Sequence, residues 1–224
     1  MRYQSSNRSV LCGLAVLAST LSATWSARAT FTGLYTEHVG LLNGREVWRI
    51  YAESDNASDV LLNVFNHRVT AGSMNGVQQN DSYGGSWLPT AISNPSQFND
   101  SYVSITGNLN SLGGVGTLLD PSFGTGLGNV IPNNAGWYTS NAAVDIRADS
   151  GTYVQGVYRI MLMQVAGATL TPATLAYSAT MTIGWKVGGT SSPSFTWDSP
   201  YSVPGPGALG ALALASAFGR RRRS

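Results

Sequence analysis

Apolar and polar residues alternate along several stretches of this chain. The clearest stretch is Val47–Glu53, in which Trp48, Ile50 and Ala52 occupy one face and polar or amphipathic residues occupy the other. A period of two residues is typical of an antiparallel strand with one buried face. Residues 175–183 repeat the alternation, and no segment between residues 30 and 200 shows the 3.6-residue apolar period of a helix. The pattern therefore predicts strands.

Turn-forming residues separate the apolar stretches. Asn43-Gly44 stands between two apolar runs, and this dipeptide is a strong hairpin signal because both residues tolerate a positive φ. Further strands are predicted at 31–35, 60–65, 69–74 paired with 76–79, 153–165 and 176–187. Residues 80–98, rich in Gly, Ser, Pro and Asn, are predicted to form a long loop or an irregular edge. The Gly- and Asn-rich residues 107–134 form either a long surface loop or short strands between frequent turns. The Ser-, Thr- and Pro-rich residues 190–202 form either a linker or a final strand carrying Phe195 and Trp197.

Short strands with frequent turn signals indicate an all-β fold. We expect a single antiparallel β-sandwich, jelly-roll-like, over residues 30–200. The one cysteine of the chain, Cys12, lies outside this domain, so disulfides do not stabilise it. About 170 residues are enough for one sizeable core without them.

The N-terminus has the three parts of a secretory signal peptide. Arg2 and Arg8 form a basic region, residues 10–23 are uncharged and mostly apolar, and Ala27-Arg28-Ala29 fits the small-x-small cleavage pattern. We therefore expect a signal helix in residues 1–29, cleavage after Ala29, and export.

Residues 201–224 divide into a Pro/Gly motif, an apolar run and a basic end. The motif is Val203-Pro204-Gly205-Pro206, residues 207–219 are uncharged, and the cluster Arg220, Arg221, Arg222 and Arg223 follows. Prolines prevent a helix from continuing into the domain. The arginines are costly to move across a bilayer and would hold this end on the cytoplasmic side. The pattern predicts a transmembrane helix, and its alternative is a disordered basic tail.

This three-part layout resembles the C-terminal sorting signal of PEP-CTERM proteins. The family motif has Glu between its two prolines, where this chain has Gly205. Segments 47–65, 100–106, 119–123, 136–138 and 159–165 loosely resemble ectodomains of that family. The resemblance implies a transient inner-membrane anchor, an exosortase-type processing enzyme as partner, and release to the cell envelope surface or extracellular matrix. A protein that stays anchored is the alternative.

Removing the two ends reverses the net charge. The whole chain has a formal charge of +2, but the segment between the signal peptide and the tail has eleven acidic and six basic residues, a net of −5. An acidic domain does not attract phosphate backbones, so we expect no nucleic-acid partner.

The sequence offers little catalytic chemistry. His38 and His67 have no metal-type spacing, and we expect both to lie at the surface or in turns. We therefore predict no catalytic residues and no cofactor. The alternative is a Ca²⁺ site in which Glu53, Asp55 and Asp59, together with Asn56, supply oxygen ligands.

Aromatic residues in Gly- and Ser-rich stretches suggest a different ligand. Trp87, Trp137 and Tyr138 are candidates for stacking on the rings of an extracellular polysaccharide, and their alternative role is to fill the sandwich core. We expect a non-enzymatic structural or adhesive function for the domain. The alternative is a carbohydrate-binding module or a weak glycan-active enzyme on the cell surface.

Overall fold

The first described elements form a hairpin. This computed structural model describes residues 31–74, 77, 87–88, 100–106, 117–123, 130–139, 148, 151–168, 176–189 and 194–204. Strand β1 (Phe31–Leu42) pairs antiparallel with β2 (Arg45–Ser54). Asn43 and Gly44 between them both have positive φ, 48° and 77°, as a type I′ turn requires. The hairpin predicted from the sequence is confirmed.

The remaining described elements are strands and one helical turn. The turn is a 3₁₀ helix at Pro121–Phe123. The strands are β3 (Val60–Ser73), β4 (Tyr102–Thr106), β5 (Thr117–Leu119), β6 (Ala135–Thr139), β7 (Thr152–Val154), β8 (Val157–Ala168), β9 (Ala176–Lys186) and β10 (Ser194–Val203).

These strands form two antiparallel sheets. Sheet 1 has the order β1-β2-β8-β4, with β7 also pairing with β8, and sheet 2 has the order β10-β9-β3-β6-β5. β2 pairs with β8 and β3 pairs with β9, so each sheet also depends on pairing between distant parts of the sequence. The prediction of an all-β fold is confirmed for the described residues. The signal helix expected in residues 1–29 and the transmembrane helix expected after Pro206 lie outside them.

The two sheets share one hydrophobic core. Ile50 and Leu162 of sheet 1 and Val64 and Ile183 of sheet 2 are at most 1% exposed and belong to the same cluster. Burying a side chain of this size stabilises the fold by about 1.5–3 kcal/mol. The Trp137 indole joins the sheets directly, because its Nε1 donates to the Ser104 carbonyl oxygen at 3.2 Å.

Three strand boundaries differ from the sequence prediction. β3 is continuous where a break was expected between 65 and 69, and register shifts around Asn66 (φ 53°) absorb the irregular residues. Val77, expected to pair with 69–74, instead bridges Gly167 of β8. β10 spans Ser194–Val203, so these residues form the final strand and not a linker. The domain therefore extends past the boundary expected at residue 200.

Gly72 permits the close pairing of β3 with β9. It has φ +75°, and a Cβ at this position would lie 2.1 Å from the Ala176 carbonyl oxygen and 2.9 Å from the Tyr177 Cα. Both neighbours are backbone atoms, which cannot rotate away as a side chain could. Gly156 also has a positive φ, +94°, but nothing lies within 4 Å of its Cβ position.

We expect Gly72→Ala to destabilise the protein much more than Gly156→Ala. Both substitutions place a side chain in the left-handed region, at about 1–2 kcal/mol each, and only Gly72→Ala adds a backbone clash. Urea unfolding should give a loss of roughly 3 kcal/mol or more for Gly72→Ala, in the range of large single-residue effects. Equal losses for the two variants would contradict the close approach at Gly72.

Candidate functional site

Two exposed large aromatic side chains lie close together on β10. The Phe195 and Trp197 residues are 46% and 54% exposed, and they share the strand face that further along carries the buried Tyr201. The Trp197 ring centroid lies 6.3 Å from that of Phe31, which packs edge-on against Trp185 at 4.8 Å. We call Phe31, Trp185, Phe195 and Trp197 the aromatic edge. Phe31 and Trp185 of the aromatic edge are buried, whereas Phe195 and Trp197 are exposed to solvent.

The aromatic edge was missed as a ligand surface by sequence reasoning. A two-residue period does run through Phe195, Trp197, Tyr201 and Val203, and this signal could have identified the strand. It does not show where along the strand the core ends. Only the pairing with β9 decides that the first two side chains are exposed and the last two are buried.

The three aromatics nominated from the sequence divide between core and surface. Trp87 and Trp137 are 3% and 1% exposed and pack with Phe123 at ring-centroid distances of 6.4 Å. Neither indole presents a free face for stacking on a sugar. Both side chains fill the core, which is the alternative role that the sequence left open. Tyr138 is 42% exposed beside Leu118, which is 40% exposed, on the outer face of sheet 2.

The acidic turn nominated for Ca²⁺ is held by hydrogen bonds. Asp59 is 2% exposed, and its carboxylate accepts from the Ser54 hydroxyl at 2.7 Å and from the Gly188 backbone N–H at 3.2 Å. The Asp59 carbonyl oxygen also accepts from the Ala148 N–H at 2.7 Å. Asp59 therefore fastens the β2–β3 turn to two other parts of the chain, while Asp55 is exposed.

Glu53, the third proposed ligand, forms an ion pair. The Arg159 Nε donates to its Oε1 at 2.8 Å, and the Arg159 guanidinium lies 3.6 Å from the centroid of the Tyr35 ring. No group of three or more His, Cys, Asp or Glu side chains suited to a metal ion occurs within the described ranges. Glu53 and Asp59 thus have separate protein partners.

Paired polar groups continue across the outer face of sheet 1. The Tyr51 hydroxyl donates to Glu37 Oε2 at 2.8 Å, and burial together with this carboxylate raises the pKa of Tyr51 well above its ordinary value. The Arg49 Nε donates to Gln164 Oε1 at 2.9 Å, and the Gln164 Nε2 donates to the Asp100 carbonyl oxygen at 2.8 Å. These contacts join neighbouring strands and keep each of these ionisable groups in a fixed position.

His67 is buried, which corrects the expectation of a surface or turn position. Its side chain is 0% exposed, and its Nε2 lies 2.8 Å from the Tyr201 hydroxyl, which in turn lies 3.3 Å from the Tyr177 hydroxyl. Burial lowers the pKa of His67 to about 4, an effect that the nearby Pro132 carbonyl partly offsets. His38 lies near the surface, stacked on Trp48 and 2.5 Å from Glu46 Oε2.

The predicted processing motif begins where β10 ends. Val203 is 1% exposed and belongs to the core, whereas Pro204 is half-buried beside an open groove of about 270 Å³. Gly205, Pro206, the four terminal arginines, Ala27 and Ala29 lie outside the described residues. Within the part of the chain that is described, no helix has the length and apolarity to cross a membrane.

Comparison with known proteins gives no relative for this chain. No protein-family model, no curated protein and no solved structure matches it.

We expect the stability of the protein to fall between pH 6.5 and pH 4 because of His67. In this range the unfolded chain takes up a proton at His67 and the folded protein does not, so each step down in pH favours unfolding. A shift from 6.5 to about 4 corresponds to a loss of about 3 kcal/mol. Urea unfolding at pH 7 and pH 4 measures it.

His67→Gln should reduce this pH dependence, because glutamine keeps a polar group opposite Tyr201 and does not titrate. His38→Gln is the matched control, since His38 is the partly exposed histidine, and it should leave the dependence caused by His67 in place. The assignment fails if the loss of stability between the two pH values is the same in His67→Gln as in the unsubstituted protein.

Proposed function

We propose that this protein is exported and sorted to the cell envelope surface or extracellular matrix, where its domain has a non-enzymatic structural or adhesive role. In this proposal a jelly-roll-like β-sandwich lies between an N-terminal signal helix and a C-terminal sorting helix. An exosortase-type enzyme cuts the C-terminal segment after transient anchoring in the inner membrane.

The observation that supports the proposal most is where β10 ends. β10 ends at the buried Val203, and Pro204 of the predicted motif follows the strand. A cut after Pro204 would therefore keep Tyr201 and Val203 in the core. A cut after Ala29 would keep the whole of β1, including the buried Phe31, with the domain.

The contacts of the ionisable groups support a structural role. Glu53 pairs with Arg159, Glu37 accepts from Tyr51, Asp59 holds the Ser54 turn, and buried His67 contacts Tyr201. Each of these groups joins two strands or fastens a turn. A side chain held in this way contributes to rigidity, which suits a protein that functions by persisting outside the cell.

Export and processing predict a defined mass. In the native host, the protein recovered from envelope and medium should begin at Thr30 and end near Pro204, with or without an added group, as measured by intact mass spectrometry. Replacing Arg220, Arg221, Arg222 and Arg223 with Ser removes the stop on the cytoplasmic side and should reduce this species. A Gly205→Glu variant, which has the family motif, serves as the positive control.

A mature species that still ends at Ser224, in the unsubstituted chain and in Gly205→Glu alike, would contradict processing. It would favour the alternative of a protein that remains anchored through its C-terminus.

Carbohydrate binding is a second candidate function, favoured by the aromatic edge. Flat apolar ring faces such as those of Phe195 and Trp197 suit the apolar faces of sugar rings, and the two side chains follow one another on the same strand face. Neighbours of this kind stand roughly 7 Å apart along a strand, a spacing that one extended glycan chain can follow.

If the aromatic edge binds glycans, Trp197→Ala should weaken the binding at least about tenfold, a loss of about 1.4 kcal/mol. A glycan array followed by titration measures this. Tyr153→Ala is the matched control, because Tyr153 is 62% exposed on β7 and lies outside the aromatic edge. Glycan binding that survives Trp197→Ala unchanged would exclude the aromatic edge as the binding site. An array without any signal would count against carbohydrate binding and favour the structural or adhesive role.

A further inference from the structure

His67 contacts a strand that is not its neighbour in the sheet. In sheet 2, β9 lies between β3, which carries His67, and β10, which carries Tyr201. Tyr201 pairs with Ala179 of β9, whose small side chain leaves room for the phenol to reach His67 Nε2 at 2.8 Å. The Tyr201 hydroxyl also lies 3.3 Å from the Tyr177 hydroxyl. The imidazole therefore helps to hold the end of β10 against the sheet.

His67 itself is fixed independently of β10. It pairs with Ala135 of β6, and its backbone carbonyl oxygen accepts from the Asn134 N–H at 2.8 Å. The imidazole is 0% exposed, and its Nδ1 has no hydrogen-bond partner of normal geometry among the described residues. The position of the ring is thus set by β3 and β6, and β10 is the element that can move away from it.

The C-terminal half of β10, Ser199–Val203, has features that weaken its attachment. In the described topology β10 is the outermost strand of sheet 2, and its sheet neighbour is β9. Pro200 has no N–H to donate, and the buried Ser199 hydroxyl has no hydrogen-bond partner within the described ranges, which disfavours its burial. The burial of Tyr201 and Val203 opposes these costs. The contact with His67 is therefore made by the part of the sheet that is easiest to open.

The charged residues on the elements around His67 do not oppose its imidazole. Arg68, the next residue of β3, is exposed. Asp198 of β10 lies on the sheet face opposite to that of the core, by the alternation of the strand, and Lys186 of β9 pairs with the first residue of β10, far from its last. β6 and residues 131–134 have no charged side chain. A proton on the ring would therefore have no carboxylate from these elements to stabilise it.

Protonation of His67 is costly while β10 is closed. Tyr201 and Tyr177 remain neutral, because burial raises the pKa of both phenols well above their ordinary value. A protonated imidazole has two donors, and a buried cation is unfavourable unless it is paired. Burial accordingly lowers the pKa of His67 from 6.5 to about 4. When β10 opens and water reaches the ring, this cost disappears.

We propose that the contact between His67 and Tyr201 makes β10 an acid-sensitive latch, in which protonation of the imidazole releases Ser199–Val203 while the strands of sheet 1 stay paired. Acid favours the open form because water solvates the imidazolium there. This inference goes beyond a general loss of stability in acid, since it names the strand that opens first. From the pKa values of 6.5 and about 4, lowering the pH from 7 to 4.5 favours opening by roughly 50-fold.

Hydrogen exchange of the purified full-length protein tests the latch. Backbone N–H exchange is followed by mass spectrometry at pH 7 and pH 4.5, and each rate is corrected for the intrinsic effect of pH. The protection of Ser199–Val203 should fall by roughly 50-fold, and that of β2 and β8 should change little. An equal fall in all strands would mean unfolding of the whole domain and would overturn the latch, as would unchanged protection of β10.

Two variants separate His67 from other groups that titrate in acid. His67→Gln keeps a polar group opposite Tyr201 and does not titrate, so most of the fall in β10 protection should disappear. His38→Gln is the matched control and should keep the whole fall, because His38 is partly exposed. A fall of the same size in His67→Gln as in the unsubstituted protein would overturn the assignment to His67.

The ring of the unsubstituted protein provides a test that does not depend on the folding of His67→Gln. Nitrogen NMR of the imidazole reports its protonation directly, and at pH 5.5 the closed protein should show a neutral His67. A His67 ring that is protonated at pH 5.5 while Ser199–Val203 stays fully protected would overturn the latch, because protonation would then not require opening.

Discussion

Within regular stretches of the described strands, successive side chains lie on opposite faces of the sheet, and the core that the two sheets share depends on that constraint. On β6, Trp137 enters the core and its neighbour Tyr138 is exposed. On β10, Tyr201 and Val203 enter the core, and Ser202 between them faces outward. A shift of one residue in either strand would exchange these sets and expose the apolar ones. The irregular residues of β3 are therefore taken up at local register shifts, which keep Val64 on the inner side.

Local features of the sequence were enough to predict the parts of the fold that depend on local geometry. The alternation at Val47–Glu53 and the Asn43-Gly44 turn need only the preferences of a few neighbouring residues, and both appear in the structure. The candidate ligand residues could not be placed in this way. Whether Trp137 or Tyr138 faces solvent depends on pairing with β3 and β5, which a single sequence does not specify.

Buried polar residues show the same limit. His67 contacts Tyr201, 134 residues away, and Asp59 accepts from Gly188, 129 residues away. Each looks like a surface or turn residue when only its neighbours are considered, because isolated polar groups are costly to bury. The distant partner compensates for that cost and makes burial favourable. Sequence reasoning placed His67 at the surface or in a turn and considered Asp59 as a Ca²⁺ ligand, because a single sequence does not reveal these distant partners.

The boundary between domain and tail illustrates how composition and packing differ. Residues 190–202 look like a linker by their Ser, Thr and Pro content, and the prolines after them look like the start of a tail. In the described part of the chain, packing extends the core to Val203, because Tyr201 and Val203 are buried in the cluster shared by both sheets. Val203 is therefore both a core residue and the first residue of the Pro/Gly motif. Composition shows where Ser, Thr and Pro concentrate, but the pairing of β10 with β9 decides which of these residues belong to the folded core.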